Sequence, residues 1–268
     1  MTDQDTPGPD NELADAASDA WLYFTPLLLM QLTRQVEADV ELTTWAHSEA
    51  FRTAEFTSVI RPNLDTRYSH AWLDLSAGPV LLSAPDTDGR YYVVQAMDAW
   101  TRTFATVGTR TTGDQARSVV FVPPDHEASE PDRADPWPSD ALVIPAPTDR
   151  VWLLLRVQSN GVDDGAAIVD LQVRFVLRAV GESGAEAAGE APESGWLTPE
   201  VIANLGNGTP PPEILTEMDA ETFFGWASER WGGPGLALPA EDAAFVSRAA
   251  ALGLRSGRAA GTRTGGTT

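Results

Sequence analysis

The chain contains neither cysteine nor lysine. Without cysteine there is no thiol nucleophile, disulfide, cysteine-ligated zinc or iron–sulfur cluster. Without lysine there is no Schiff-base amine, P-loop cation or serine–lysine nucleophile pair. Histidine is nearly as scarce. His47, His70 and His126 are scattered, with no H-x-x-x-H spacing, and no metal or organic cofactor is implied. Long apolar runs are missing too: the stretch around 26–30 is far short of the ~20 residues a membrane span needs. The start, MTDQDTPGPDNELADAASD, has neither the basic nor the apolar region of a signal peptide. A soluble, cytoplasmic protein without a membrane partner is expected.

The charge that is present is mostly acidic. All 18 basic residues are arginine, against 39 acidic ones, for a net charge of −21. Such a chain repels phosphate backbones, so nucleic acid is not an expected partner. At 268 residues and 43% hydrophobic, it has room for one large domain or a domain with a satellite.

The most informative stretch is IRPNLDTRYSHAWLDLS, residues 60–76. Pro62 pushes Arg61 towards an extended backbone, and the short side chains of Asn63 and Asp65 favour a self-bonded turn. From Tyr68 the pattern has period two. Ala71, Leu73 and Leu75 share one face, a core face; Tyr68, His70, Trp72 and Asp74 share the other. The second face, with large rings and polar tips, suits a pocket wall or an interface.

This stretch, followed by PVLLSAP, GRYYVVQAMDAWT and TRTTG, resembles the DUF1254 family, whose members carry an R-P-N-x-D-T-x-Y-S-x-A-W-L-D-L core. The resemblance covers about residues 12–180, with a weaker echo at 210–258. It implies an α+β fold: a β-sandwich-like domain with a flanking N-terminal helix and a small C-terminal helical region. It implies no settled activity. In the family a second, jelly-roll-like domain (DUF1214) commonly follows, and nothing after Arg258 resembles it. A homo-oligomer or a separately encoded DUF1214-like partner is therefore an expectation, with Trp226 and Trp231 either as docking contacts or, the favoured reading, packed onto the β domain.

Read in order, 1–10 is a disordered tail and 11–180 the sandwich domain. A linker at 181–195, a helical extension at 196–258 and a tail at 259–268 follow. An apolar stripe predicts a helix over 11–37, kinked or divided at Pro26 and packed across a sheet. Asp86 to Gly89 reads as a hairpin turn. Residues 164–180 read as a helix, and Asp219 as the N-cap of a later one. His47 reads as a hydrogen-bonded structural residue.

The expected function is a small-molecule pocket for a carboxylate or polar ligand, as part of an enzyme or without catalysis. Its residues are Arg61, Asn63, Asp65, Tyr68, Trp72, Asp98, Trp100 and Arg156, with Arg110 of GTRTTGDQ offering a further anion contact. Asn63, Tyr68 and Asp98 are expected to line one concave site. Asp65 or Asp98 would act as a general base, or else would cap a turn and pair with an arginine. Arg156, after three leucines, reads as a buried cation needing Asp65 or Asp98 as its partner. The alternative is a non-catalytic interaction module whose Tyr68/Trp72 face is the interface.

Overall fold

The computed structural model describes residues 9–37, 40–48, 50–51, 64–124, 126, 137–180, 208–230, 245, 247–249 and 253–254. Arg61, Asn63, Trp231, residues 1–8 of the first expected tail, the second tail and the 181–195 linker lie outside these residues, and positions 9 and 10 of the first tail are helical. The chain divides into two compact units, one of residues 1–33 with 195–268 and one of residues 34–194.

The second unit is a sandwich of two sheets. One sheet has the order β1 (Ala46–His47), β2 (Thr66–Asp74), β8 (Arg150–Gln158), β4 (Tyr92–Met97), β5 (Thr103–Gly108). The other has the order β7 (Leu142–Pro145), β6 (Arg117–Val122), β3 (Val80–Ala84), β9 (Val176–Ala179), with β6 and β7 parallel. Period-two alternation builds the core. Ala71 and Leu73 of β2, Val151, Leu153, Leu155 and Val157 of β8, and Tyr92, Val94 and Ala96 of β4 pack with Val80 and Leu82 of β3 and Val119 and Phe121 of β6. Ile168 and Leu171 of a short helix α2 (Gly165–Gln172) and nearby Phe175 join the same core.

Two local expectations change. The Asp86–Gly89 turn forms, with Asp88 at φ 52° and Gly89 at φ 78°, and the Asp86 carboxylate accepts the Asp88 N–H. It is an arch rather than a hairpin, because β3 and β4 belong to different sheets. The helix expected over 164–180 stops at Gln172, and Val176–Ala179 pairs antiparallel with β3. Its Phe-Val-Leu-Arg-Ala-Val run satisfies either period, and the open edge of β3 supplies the hydrogen bonds.

In the first unit, α1 (Pro9–Val36) is one helix through Pro26. The carbonyl that Pro26 leaves without a helical donor belongs to Leu22, which is 64% exposed. α1 packs on residues of the C-terminal region: Trp21 stacks on Phe223 and Tyr23 on Phe245, with centroids 6.1 and 3.8 Å apart. There, α3 (Pro211–Glu217) and α4 (Ala220–Arg230) are short. Asp219 caps α4 as expected, accepting the Thr222 N–H at 2.9 Å and its hydroxyl at 2.7 Å. Trp226 is buried, at 4% exposure. No helix among the described residues is long and apolar enough to cross a membrane.

Candidate functional site

Register first decides which of the expected site residues can meet. Tyr68 lies across from Arg156, which lies across from Val93; Trp72 lies across from Trp152, and Trp152 from Met97. Asp98 is five residues beyond Val93, roughly 16 Å along the strand at ~3.3 Å per residue. Tyr68 and Asp98 therefore belong to opposite ends of the sheet, and the single concave site expected for them does not form.

The Asp98 end is a structural corner. The Asp98 carboxylate, 1% exposed, accepts the N–H groups of Trp100 and Arg102 at 2.9 and 3.0 Å and the Arg102 Nε–H at 2.9 Å. A second guanidinium nitrogen of Arg102 lies 2.9 Å away. A carboxylate this fully engaged holds the β4–β5 turn and is not a free base. Trp100, also buried, sits in that turn.

The middle of the outer face holds Trp72. It stacks on Trp152 at 5.2 Å and 9°, and its indole N–H donates to Glu37 Oε2 at 2.6 Å. His70 Nε2 is 3.4 Å from the same oxygen. Asp74 pairs with Arg150 directly across the ladder.

At the far end, Arg156 is half-buried on the outer face, because β8 turns its leucines alternately in and out. Neither expected carboxylate is its partner. Its Nε–H donates to Thr66 Oγ1 at 3.2 Å, and its guanidinium lies 5.0 Å over the Tyr68 ring. Asp65, just before β2, accepts the Ser159 N–H through its backbone carbonyl at 2.8 Å. Arg110 lies 5.5 Å over Tyr91. The threonines of its loop are used internally: Thr109 Oγ1 accepts the Tyr92 N–H, Thr112 Oγ1 accepts the Gly108 N–H, and the Thr111 hydroxyl donates to the Thr106 carbonyl. The loop's hydroxyls leave little for an anion.

The buried cation expected of Arg156 is instead Arg67, on the core-facing side of β2. It is 6% exposed. One guanidinium nitrogen donates to the Gly165 carbonyl at 3.2 Å, and the guanidinium lies 5.4 Å over the Phe51 ring. Among the described residues no carboxylate pairs with it, and its Nε–H has no acceptor. Asp164 is within electrostatic reach of Arg67, but it is clasped by Arg90 and by the Asn160 N–H, which with a smaller contribution from Arg67 hold its carboxyl below the usual range. Gly165 allows the approach of α2: a Cβ there would stand 3.3 Å from the Arg67 guanidinium.

Two residues along, Ser69 is fully buried and hydrogen-bonded on two sides, by Gln172 Nε2 and by His47 Nδ1, each at 2.8 Å. Proton positions follow from the partners. The Gln172 amide also reaches the Tyr68 carbonyl at 3.0 Å, and a carbonyl only accepts, so the NH₂ group faces β2. Ser69 therefore accepts from Gln172, and the direction of its bond with His47 Nδ1 is set by the His47 tautomer. Burial, then the neighbouring His70, hold the His47 imidazole below its usual pKa. The contact resembles a nucleophile–base pair, but Ser69 has no exposed surface and serves binding or architecture. Gln172 Oε1, turned away from β2, has no partner among the described residues.

Sequence reasoning missed Arg67, Ser69 and Gln172. Extending the Ala71–Leu73 alternation backwards by two and four residues places Ser69 and Arg67 on the core face, so that signal was there. Gln172 carries no such mark.

The fold has a solved counterpart. The VPA0106 protein from Vibrio parahaemolyticus matches with a TM-score of 0.60 at 18% identity, covering 94% of this chain and 54% of that one. The chain thus spans about half the length of that protein, and the likeness concerns the fold alone. An uncharacterised protein from Burkholderia cenocepacia aligns over 81% of this chain and 59% of its own at 12% identity, with a TM-score of 0.35 that is too low to bear on the fold. No curated protein matches the chain. The family described as "Protein of unknown function (DUF1254)" matches residues 42–179, slightly more than half of the sequence, and the chain belongs to that family.

Proposed function

We propose that this domain binds a small organic carboxylate, with Arg67 as the anchor. The observation that carries the reading is an arginine only 6% exposed, its Nε–H without an acceptor and its guanidinium without a direct carboxylate partner among the described residues. A buried, uncompensated charge is strongly unfavourable, and such a residue is retained where something outside the chain supplies the counter-charge. The planar fork of arginine suits a carboxylate. Among the described residues Arg67 makes one hydrogen bond and one ring contact, to Gly165 and Phe51, and lies within electrostatic reach of Asp164 without a direct ion pair. No reaction is assigned to the site.

The test uses two readouts that a structural role would move together. Arg67→Met removes the buried charge and keeps much of the side-chain volume. Its melting temperature in the absence of ligand should equal or exceed that of the wild type, because replacing an unpaired buried charge by an apolar group is neutral or stabilising. Short-chain carboxylates should raise the melting temperature of the wild type and leave that of the variant unchanged. Mass spectrometry of small molecules released from the purified wild type should show organic acids absent from the variant. An Arg67→Met protein that is markedly less stable than the wild type, with no carboxylate shifting either, would overturn the reading.

A further inference from the structure

We infer that the ligand is a short-chain hydroxycarboxylate, its carboxylate on Arg67 and its hydroxyl donating to Gln172 Oε1. This rests on the carboxylate reading of Arg67 and specifies the second contact. Gln172 is fully buried at the end of α2, and its amide orientation is settled by the Tyr68 carbonyl and Ser69 Oγ, which take both NH₂ protons. Among the described residues Oε1 is left as a lone acceptor. A buried acceptor without a donor costs stability, as a buried guanidinium without an anion does. These two defects are complementary in kind and are tied to the two ends of the same short helix. Arg67 and Ser69 are alternate residues on one face of β2, about 7 Å apart at the usual strand rise. α2 runs alongside, its Gly165 end bonded to Arg67 and its Gln172 end bonded to Ser69.

Charge selects the donor on the ligand. An ammonium group would place a second buried cation near Arg67, and Asp164 is already occupied by Arg90. A hydroxyl donates without adding charge. The seam therefore discriminates in favour of a hydroxy acid over both the plain acid and the amino acid of the same length.

Calorimetric titration with butyrate, β-hydroxybutyrate, γ-hydroxybutyrate and γ-aminobutyrate tests this directly. In the wild type one of the hydroxybutyrates should bind about tenfold or more tightly than butyrate, the difference expected when a site's buried acceptor is satisfied rather than left bare. γ-Aminobutyrate should bind more weakly than its hydroxy counterpart. Gln172→Met should erase the hydroxyl preference and keep butyrate binding. If that variant does not fold, the wild-type series decides alone. Butyrate binding in an Arg67-dependent way, as tightly as both hydroxy acids, overturns the inference and leaves the carboxylate reading standing. Absence of binding by all four overturns both.

Discussion

Arg156 and Tyr68 face one another across the β2–β8 ladder, with the guanidinium carbon 5.0 Å from the ring centroid. The contact is half-buried and involves no carboxylate. Arg156→Met should therefore lower stability by only about 0.5–1 kcal/mol, the usual worth of such a cation–π pair. Urea denaturation of the variant checks this. A loss of several kcal/mol would indicate a buried ion pair that the geometry does not contain.

Asp98 should behave as a structural residue. Asp98→Ala strands the Trp100 and Arg102 backbone N–H groups, while the exposed Arg102 guanidinium turns to solvent, and should cost about 1–3 kcal/mol. Asp98→Asn keeps an acceptor for the N–H groups and should cost less. Denaturant midpoints of the two variants, compared with butyrate affinity, separate stability from binding: affinity should stay unchanged in any variant that folds.

Two glycines give opposite outcomes. A Cβ on Gly108 would stand 2.4 Å from the Tyr92 carbonyl oxygen and 2.8 Å from Val93 Cα, both backbone atoms of the neighbouring strand. Gly108→Ala must push β4 and β5 apart and should destabilise by at least about 1–3 kcal/mol. Gly225, inside α4, has open space around it. Gly225→Ala should stabilise its helix by about 0.5–1 kcal/mol. Thermal melts of both variants read the two signs.

The Arg90–Asp164 pair fixes the β3–β4 arch to the β8–α2 connection. Arg90 also donates to the Gln158 carbonyl at 2.8 Å, and Asp164 accepts the Asn160 N–H at 2.8 Å. The Asp164 pKa is lowered, chiefly by Arg90. Its stabilisation is therefore complete above the unfolded-state value of about 3.9 and is lost as pH falls through the lower folded value. Asp164→Asn should cost about 1.5–3 kcal/mol near neutrality. The gap to the wild type should close in strong acid, which denaturant titrations over a pH series would show.

His47 should act in a higher window. Its folded pKa is depressed by burial and by His70, so below about 6.5 the unfolded chain takes up the proton first. Stability should decline as pH falls from there. His47→Asn retains an acceptor for the Ser69 hydroxyl and removes the titration. Melting temperatures from about pH 7.5 to 5 should slope in the wild type and flatten in the variant. An unchanged slope would place the titrating group elsewhere.

Much of the sandwich is visible in alternation alone, as at Ala71, Leu73 and Tyr68, because one buried face imposes period two. What alternation does not carry is which strands become neighbours. Tyr68 and Asp98 look like parts of one motif, and only the Tyr68–Arg156–Val93 register separates them. The VWLLLRV run looks uniformly buried, yet pleating turns Leu154 and Arg156 outward. The buried arginine of this domain is Arg67 rather than Arg156, and the same period-two count places it inward. Gln172 matters only because α2 lies along β2, a tertiary fact without a local signature.

The chain passes from one sheet to the other five times, at β2–β3, β3–β4, β5–β6, β7–β8 and β8–β9. β2 is paired on one side by the two-residue β1 and on the other by β8, whose first residue, Arg150, is 76 positions after Asp74. On the ribosome, at about 5–20 residues per second, β2 waits on the order of several seconds before its main partner has been translated. During that interval Thr66–Asp74, with four of its nine residues aromatic or aliphatic (Tyr68, Ala71, Trp72 and Leu73), has an open edge along nearly its whole length. Nascent chains stalled before residue 150 should consequently be the most aggregation-prone products of this gene, and those released after residue 179, where β9 closes the second sheet, the first to resist protease.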